Sequence, residues 1–269
     1  MAGRTTAPGQ SVTSRVLSIL ASFENSASAR SLSEISEESG LPQSTAHRLL
    51  GELEEWGAVQ RDAQGRYQIG LRLWELGQHA GRQLRDVARP YLQDLFGLTQ
   101  ETVHFAIRDG ADVLYIDRVY GTRRVPQASR VGGRLPLHAT AVGRAILAFE
   151  EDWVRDAVLD GTLVQRTPFT KTDPEQIRRE LDEIRAQGFA LASEEVRLGS
   201  CSIAVPVFRG DRRIFGALGM VLPVSRAHQL ERNLPVLLGT ARRIEAGIAH
   251  IPLSTLQAAV TTRRPSATK

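Results

Sequence analysis

The stretch Ser31-Leu-Ser-Glu-Ile-Ser-Glu-Glu-Ser-Gly40-Leu-Pro-Gln-Ser-Thr-Ala-His-Arg-Leu-Leu50 decides how this chain reads. Its opening, Ser31-Leu-Ser-Glu34, has the Ser-x-x-Glu spacing of a capping box, in which hydroxyl and carboxylate each satisfy a free amide at a helix start. A short helix therefore begins there with Leu32 and Ile35 inward, and Gly40 ends it. A second helix follows almost at once. Pro42 suits a first helical position, and Leu41, Ala46, Leu49, Leu50 and Leu53 form one apolar stripe that Gly57 closes.

Outward from this pair, Ser11–Phe23 carries Val12, Val16, Ile19, Leu20 and Phe23 at helical spacing. On the other side, Val59 and Tyr67-Gln-Ile69 read as two short strands around a turn at Asp62–Gly65. Helix, helix, short glycine turn, helix and hairpin is the order of a winged helix-turn-helix, expected over residues 11–70. In that motif the second helix of the pair enters the major groove and offers its first exposed side chains to base edges. Here those are Gln43, Ser44, Thr45, His47 and Arg48. Glutamine pairs bidentately with adenine, arginine with guanine, and hydroxyls with phosphate or base. Arg61 and Arg66 flank the wing turn, within reach of DNA backbone or minor groove. The competing reading is a small helical bundle whose hairpin packs against protein. Against it, Glu52, Glu54 and Glu55 stand at the far end of the helix, away from the polar cluster at its start. His47 taken alone reads equally as a solvated polar residue.

Leu71–Gln83 returns to helical spacing through Leu71, Trp74, Leu76 and Ala80, and is expected to link two domains over residues 71–84. Leu84–Thr99 is helical with Pro90 implying a start or kink nearby. Thr102–Ile107 and Val113–Val119 alternate as strands across Asp109-Gly110, Pro126–Val131 is a weaker strand, and Ala139–Phe149 reads as a buried helix. Asp173-Pro174 starts another helix that ends at Gly188. Strands follow at Phe189–Ala192, Ser202–Phe208 and Ile214–Leu222, then a long helix from about Ala227 to Ile248. The second domain is thus expected over residues 85–250, with loose tails at 1–10 and 251–269.

Composition narrows the class without naming it. At 42% hydrophobic and 24% charged, the 269 residues suit two folded domains, and no apolar run is long enough to span a bilayer, so no membrane partner is expected. Met1–Gln10 lacks the apolar stretch of a secretory signal, so a cytoplasmic protein is expected. The single cysteine, Cys201, excludes an internal disulfide and a cysteine-built metal site. A net charge of +4 does not argue for nucleic acid by itself. Residues 1–85 hold nine arginines against nine acidic residues, so any attraction to DNA must come from where the arginines sit.

Three groups of residues resemble the IclR family of bacterial regulators. They are Leu32-Ser-Glu-Ile35 with Gly40–Leu50 and Gly65–Gly70, then Ser129–Ala145, then Ser202-Ile-Ala-Val-Pro-Val207. The resemblance runs from about Ser14 to Gly247. It implies an α+β chain in which the winged helix-turn-helix is joined by a linker helix to a GAF-like α/β effector-binding domain with a central antiparallel sheet. It also implies a homodimer or tetramer, a palindromic double-stranded DNA operator, and repression or activation answering small organic or aromatic acids. Carried over by position, the effector pocket would hold Ala141, Val142, Ala192, Ser202, Gly219 and Val221. Ala192, Gly219 and Val221 stand where members that bind small oxo-acids carry polar groups. A larger or more apolar effector, such as an aromatic acid, is therefore expected. Arg130, Arg134, His138 and Ser200 remain as other sources of polarity.

No catalytic set, cofactor or metal site is expected. Glu194-Glu195 with Asp112 or Asp117 has no spacing that fixes a carboxylate pair, and none of the six histidines stands at metal-ligand spacing. His138 reads more readily as a hydrogen-bonded structural residue than as an anchor. Cys201 should alternate away from Ser202. The expected function is a DNA-binding repressor of a catabolic operon under effector control. The alternative is a constitutive DNA-binding protein whose C-terminal domain only oligomerises.

Overall fold

The structure, a computed structural model, describes residues 11–24, 29–77, 82–121 and 129–249. The expected tails lie outside these. The chain divides into two compact units, residues 1–80 and 81–269.

The first unit opens with the helices Val12–Ala21 (α1), Leu32–Ser39 (α2) and Gln43–Trp56 (α3), followed by a hairpin of Val59–Arg61 (β1) with Tyr67–Ile69 (β2). Both halves of the capping box form at Ser31: its hydroxyl accepts from the Glu34 amide, and the Glu34 carboxylate accepts from the Ser31 amide at 2.7 Å. The bond from the Ser31 amide, with a second at 2.8 Å from the Ser31 hydroxyl to the same oxygen, holds the exposed Glu34 carboxyl below its ordinary value. Gly40 and Gly57 take left-handed φ of 67° and 83° to end α2 and α3. Pro42 is the cap residue of α3 and not its first helical residue, with extended ψ of 141°. The stripe Ala46, Leu49, Leu50 and Leu53 is buried with Leu41, Ile19, Ile35 and Tyr67. In the wing, the Asp62 carboxylate accepts from the amides of Gln64 and Arg66 at 3.0 and 2.8 Å, which shapes the turn. Arg30 adds a bridge to Tyr67 through two 2.7 Å backbone bonds, giving the hairpin a third edge. A helix at Leu71–Gly77 (α4) follows; Leu73 packs against the unit's core, whereas Leu71, Trp74 and Leu76 are all exposed.

The second unit opens with Arg82–Thr99 (α5), which carries Pro90 inside and does not start there. Among the described residues its strands are Thr102–Asp109 (β3), Asp112–Val119 (β4), Arg134–Pro136 (β5), Ala190–Ser193 (β6), Ser200–Phe208 (β7) and Ile214–Pro223 (β8). They pair antiparallel in the order β5-β4-β3-β8-β7-β6. The remaining helices are Ala141–Leu147 (α6), Asp152–Leu159 (α7), Pro174–Gln187 (α8) and Leu234–Ile248 (α9). Strand alternation sorts the sheet into two unlike faces. Large residues, among them Phe105, Ile107, Ile203, Val205, Leu218 and Met220, pack with Leu92 and Leu95 of α5 and Leu237 and Ile244 of α9. Small ones, Ala106, Ala192, Ala204 and Ala217, meet Val142, Ala145 and Ile146 of α6.

Two expectations about the second unit need correction, and one helix was not expected. The strand expected at 126–131 falls partly on residues outside those described, and Ser129–Val131 is not strand. Gly132, at φ 76°, and Gly133 turn the chain first, so pairing with β4 starts at Arg134. The last helix begins at Leu234, not near Ala227. The segments Val224–Gln229 and Glu231–Asn233 are 3-10 turns, and Pro235, which lacks an N–H, sits in the first turn of α9, where that loss is harmless. Helix α7 has no counterpart in the expected elements. It is eight residues long, opens on Glu150-Glu151-Asp152, and has no side-chain cap to mark it.

Candidate nucleic-acid interface and ligand cavity

On α3, Gln43, Ser44, His47 and Arg48 are exposed and Thr45 is half-buried, all on the side opposite the buried leucines. No side chain caps the helix start, which leaves amide donors and the positive end of the helix dipole for an anion. Gln43 Nε2 donates to Ser33 Oγ of α2 at 3.2 Å, tying the two helices together at this surface. Arg48 pairs with Glu52 one turn on, both more than half exposed. Arg61 pairs with Glu54 at 3.2 Å and lies 4.7 Å over the Tyr67 ring, while the Arg66 guanidinium donates to the Ala29 carbonyl. The acids behind the helix start are therefore partners that hold two arginines in place. Exposed pairs of this kind contribute only ~0.2–1 kcal/mol, so a phosphate or guanine can displace them.

In the second unit a cavity of about 50 Å³ lies between the small-residue face of the sheet and α6. Ala141, Val142, Ala192, Ser202 and Val221 line it, brought together from α6, β6, β7 and β8. Gly219 does not line it directly. A Cβ at that position would stand 2.4 Å from His104 Nε2 and 2.7 Å from Val142 Cγ1, so the imidazole occupies its space. Ser129 and Thr140 line the cavity without having been expected there, and so do the two ring-bearing residues that sequence reasoning missed, His104 and Tyr115. Both are almost fully buried, and their rings meet edge to face at 5.0 Å. Burial, helped by the nearby Arg118 charge, pushes His104 down to about 3, and burial pushes the Tyr115 hydroxyl up. At neutral pH the imidazole is uncharged and the phenol protonated. His104 Nδ1 has no hydrogen-bond partner, a state that costs a buried polar atom ~1–3 kcal/mol. The available signal was a lone histidine on the inner face of an apolar strand, Val103-His104-Phe105-Ala106-Ile107.

Of the other polar candidates, Ser200 lines the cavity, whereas Arg130, Arg134 and His138 do not. Arg134 pairs with Asp109 at 2.7 Å, and His138 Nε2 is 3.2 Å from the Val164 carbonyl, with burial lowering its pKa. Glu195 lines the cavity, yet both its oxygens bind the fully buried Arg144 at 2.5 and 3.1 Å. Arg144 also meets Glu180 of α8 at 3.1 Å and the Leu191 carbonyl at 2.8 Å. Glu194 Oε1 accepts from the Gly199 amide at 2.7 Å, and Asp117 pairs with Arg89 at 3.0 Å. These carboxylates hold loops and helices in place: Glu194 and Glu195 both border the cavity, but each is bonded to protein, while Asp117 is paired with Arg89 elsewhere. Among the described residues no group of three His, Cys, Asp or Glu could hold a metal ion. Cys201 lies with the large-residue core, and burial pushes its thiol up. A second, wider cleft of about 230 Å³ lies at the other end of the sheet between Arg108, Trp153, Arg209 and Phe215. No helix among the described residues is long and apolar enough to cross a membrane.

A winged helix-turn-helix followed by a sheet unit with an internal cavity defines a ligand-responsive DNA-binding regulator. Comparison with known proteins gives the family. Residues 12–63 match the IclR helix-turn-helix domain, and residues 79–246 match the bacterial transcriptional regulator IclR C-terminal family. The chain is 34% identical to the HTH-type transcriptional regulator XynR of Escherichia coli, over 81% of this chain and 88% of that one. It is 32% identical to the transcriptional repressor IclR of Escherichia coli, over 81% of each. Among solved structures, an IclR homolog from Microbacterium hydrocarbonoxydans complexed with 4-hydroxybenzoate superposes with a TM-score of 0.81 at 34% identity, covering 88% of this chain and 99% of that one. The Thermotoga maritima IclR gives 0.73 at 31% identity, covering 88% and 98%. The chain belongs to the IclR family of transcriptional regulators, with a DNA-binding helix-turn-helix and an effector-binding C-terminal domain.

Proposed function

We propose that the chain is a cytoplasmic repressor of a catabolic operon, released from DNA by a small organic acid, preferably an aromatic one. Gln43, Ser44, Thr45, His47 and Arg48 read the major groove, while Arg61 and Arg66 leave their surface partners for the DNA backbone or minor groove. Two copies read a palindromic operator, as two-fold symmetry requires. The exposed Leu71, Trp74 and Leu76 of α4 supply an apolar surface for a homodimer, and a tetramer would add contacts between C-terminal units.

The observation that carries the effector reading is the make-up of the cavity. Its walls of Ala141, Val142, Ala192 and Val221 are apolar, with Ser202 and a few further polar atoms among them. That composition suits a partly hydrophobic acid, and a relative of closely similar fold is described with 4-hydroxybenzoate. At about 50 Å³ the cavity is smaller than a ring-bearing acid, so such a ligand enters only as its walls move apart. The acid regulates only if the opened cavity favours one arrangement of the two DNA-reading heads over the other.

A DNase footprint on the intergenic DNA beside the gene tests the first half, and a thermal-shift screen of organic acids tests the second. A symmetric protected site and a raised melting temperature are expected. No protection at low salt overturns the DNA reading. Protection without any thermal response leaves a constitutive DNA-binding protein.

A further inference from the structure

His104 stands on β3 between Gly219 of β8 and Arg118 of β4, its register partners, and forms part of the cavity wall. Structural histidines normally have both ring nitrogens satisfied or solvated, as His138 is bonded at the Val164 carbonyl. His104 Nδ1 is buried, and no group among the described residues hydrogen-bonds it. Its Cδ2–Nε2 edge packs on Gly219, where any side chain would collide with the ring, so Nδ1 lies on the opposite edge. Gly219 has no left-handed φ to justify a glycine, which leaves room for the imidazole as its role.

Resting on the effector reading above, we propose that His104 is the specificity-determining residue of the cavity, receiving the carboxylate of an aromatic monoacid at Nδ1 and taking up one proton as the acid binds. The charges around it fit. From β4 it faces the protonated Tyr115 hydroxyl and the Arg118 guanidinium, and β8 contributes only Gly219 and Val221. From β7 come the neutral Ser200 and Ser202, and from α6 the apolar Ala141 and Val142. Arg144, further along α6, is committed to Glu195. Across the cavity Glu195 is neutralised by that pair, and Glu194 accepts the Gly199 amide. Burial and the Arg118 charge both oppose a charge on the imidazole, which is therefore neutral. An entering carboxylate supplies the missing acceptor and the opposite charge, so solvent gives one proton to the ring and an imidazolium–carboxylate pair forms. Solvent is the only co-reactant, and no covalent bond is made.

The test is isothermal titration calorimetry on the full chain near neutral pH, in buffers of different ionisation enthalpy. The probes are 4-hydroxybenzoate and its neutral isostere 4-hydroxybenzamide. The wild type should bind the acid with uptake approaching one proton, and the amide about tenfold or more weakly. His104→Asn keeps a donor at the Nδ1 position and should retain weakened binding without proton uptake. His104→Leu should lose about 30-fold or more in affinity for the acid. It should still melt at or above the wild-type temperature without ligand, because the unsatisfied nitrogen is gone; that outcome separates recognition from folding. Equal affinity of wild type and His104→Leu, or acid binding without proton uptake, overturns the proposal. If other compounds shift the melting temperature and 4-hydroxybenzoate does not bind, the proposal falls while the effector reading stands. If no compound in a metabolite library has any effect, both fall.

Discussion

The two recognition regions of this molecule are built in opposite ways. The α3 surface presents side chains that are exposed, singly weak and already paired with neighbours: Arg48 with Glu52, Arg61 with Glu54, Gln43 with Ser33. The cavity in the second unit is built from buried groups, one of which, His104 Nδ1, is left without a partner. The first arrangement lets a polyanion exchange one set of exposed contacts for another at little cost. The second holds an unmet hydrogen bond at a buried atom, where an incoming group contributes most. These opposite designs suit the proposed roles, a surface for DNA and a pocket for a small acid.

The comparison can be broken first at its most buried charge. Arg144→Ala leaves Glu195 without its partner inside the second unit. The expected cost is ~3–5 kcal/mol, seen as a melting temperature lower by roughly 10 °C or more. A loss as small as that of an exposed pair would mean that burial does not distinguish the two regions.

On the exposed surface, Arg48→Ala should cost ~1–3 kcal/mol on the operator and little on scrambled DNA, measured by competition gel shift. Arg66→Ala should instead weaken both sequences alike and reduce the slope of affinity against salt by about 1. Uniform loss from both variants would sharpen the picture to backbone contact alone.

The capping box gives a smaller effect confined to the first unit. Ser31→Ala should lower its stability by ~1 kcal/mol in urea unfolding and leave acid binding unchanged.

The pH response belongs to the second unit. His104 titrates at about 3 when folded, against an ordinary value of 6.5, so the unfolded chain takes up the proton first. Its contribution is complete above about pH 7 and is lost as pH falls from about 6.5 towards about 3. Between about pH 7.5 and about pH 5.5 the unit should lose roughly 1 kcal/mol in denaturant titrations, a loss absent from His104→Leu.

The same contrast explains what the sequence revealed. The α3 surface was legible because it is local. Ser31, Gly40 and Gly57 mark helix ends, and the leucine stripe assigns the remaining positions to the outside. The exception is the pairing of Arg48, Arg61 and Arg66, which depends on side-chain geometry that spacing does not give. The cavity is assembled from α6, β6, β7, β8 and the inner faces of β3 and β4. The family resemblance pointed to Ala141, Val142, Ala192, Ser202 and Val221, but His104 and Tyr115 come from strands whose pairing with β8 and β5 no local pattern shows. Gly219 was legible as a missing hydroxyl, whereas its role as space for an imidazole from the neighbouring strand was not. Elements with caps and long stripes, such as α3 and α8, came out close to their bounds. Helix α7 and the 3-10 entry to α9 did not, being short and decided by tertiary packing and by Pro235.

The central claim is that an acid bound in the second unit controls DNA affinity set by the first. Fluorescence anisotropy of the full chain on its operator, titrated with 4-hydroxybenzoate, tests it directly with Ala192→Leu as the filled-cavity control. The wild type should lose about tenfold in DNA affinity at saturating acid. Ala192→Leu should bind the operator as tightly as wild type and ignore the acid. Wild-type affinity that does not change with the acid, or a response that survives in Ala192→Leu, would contradict the account.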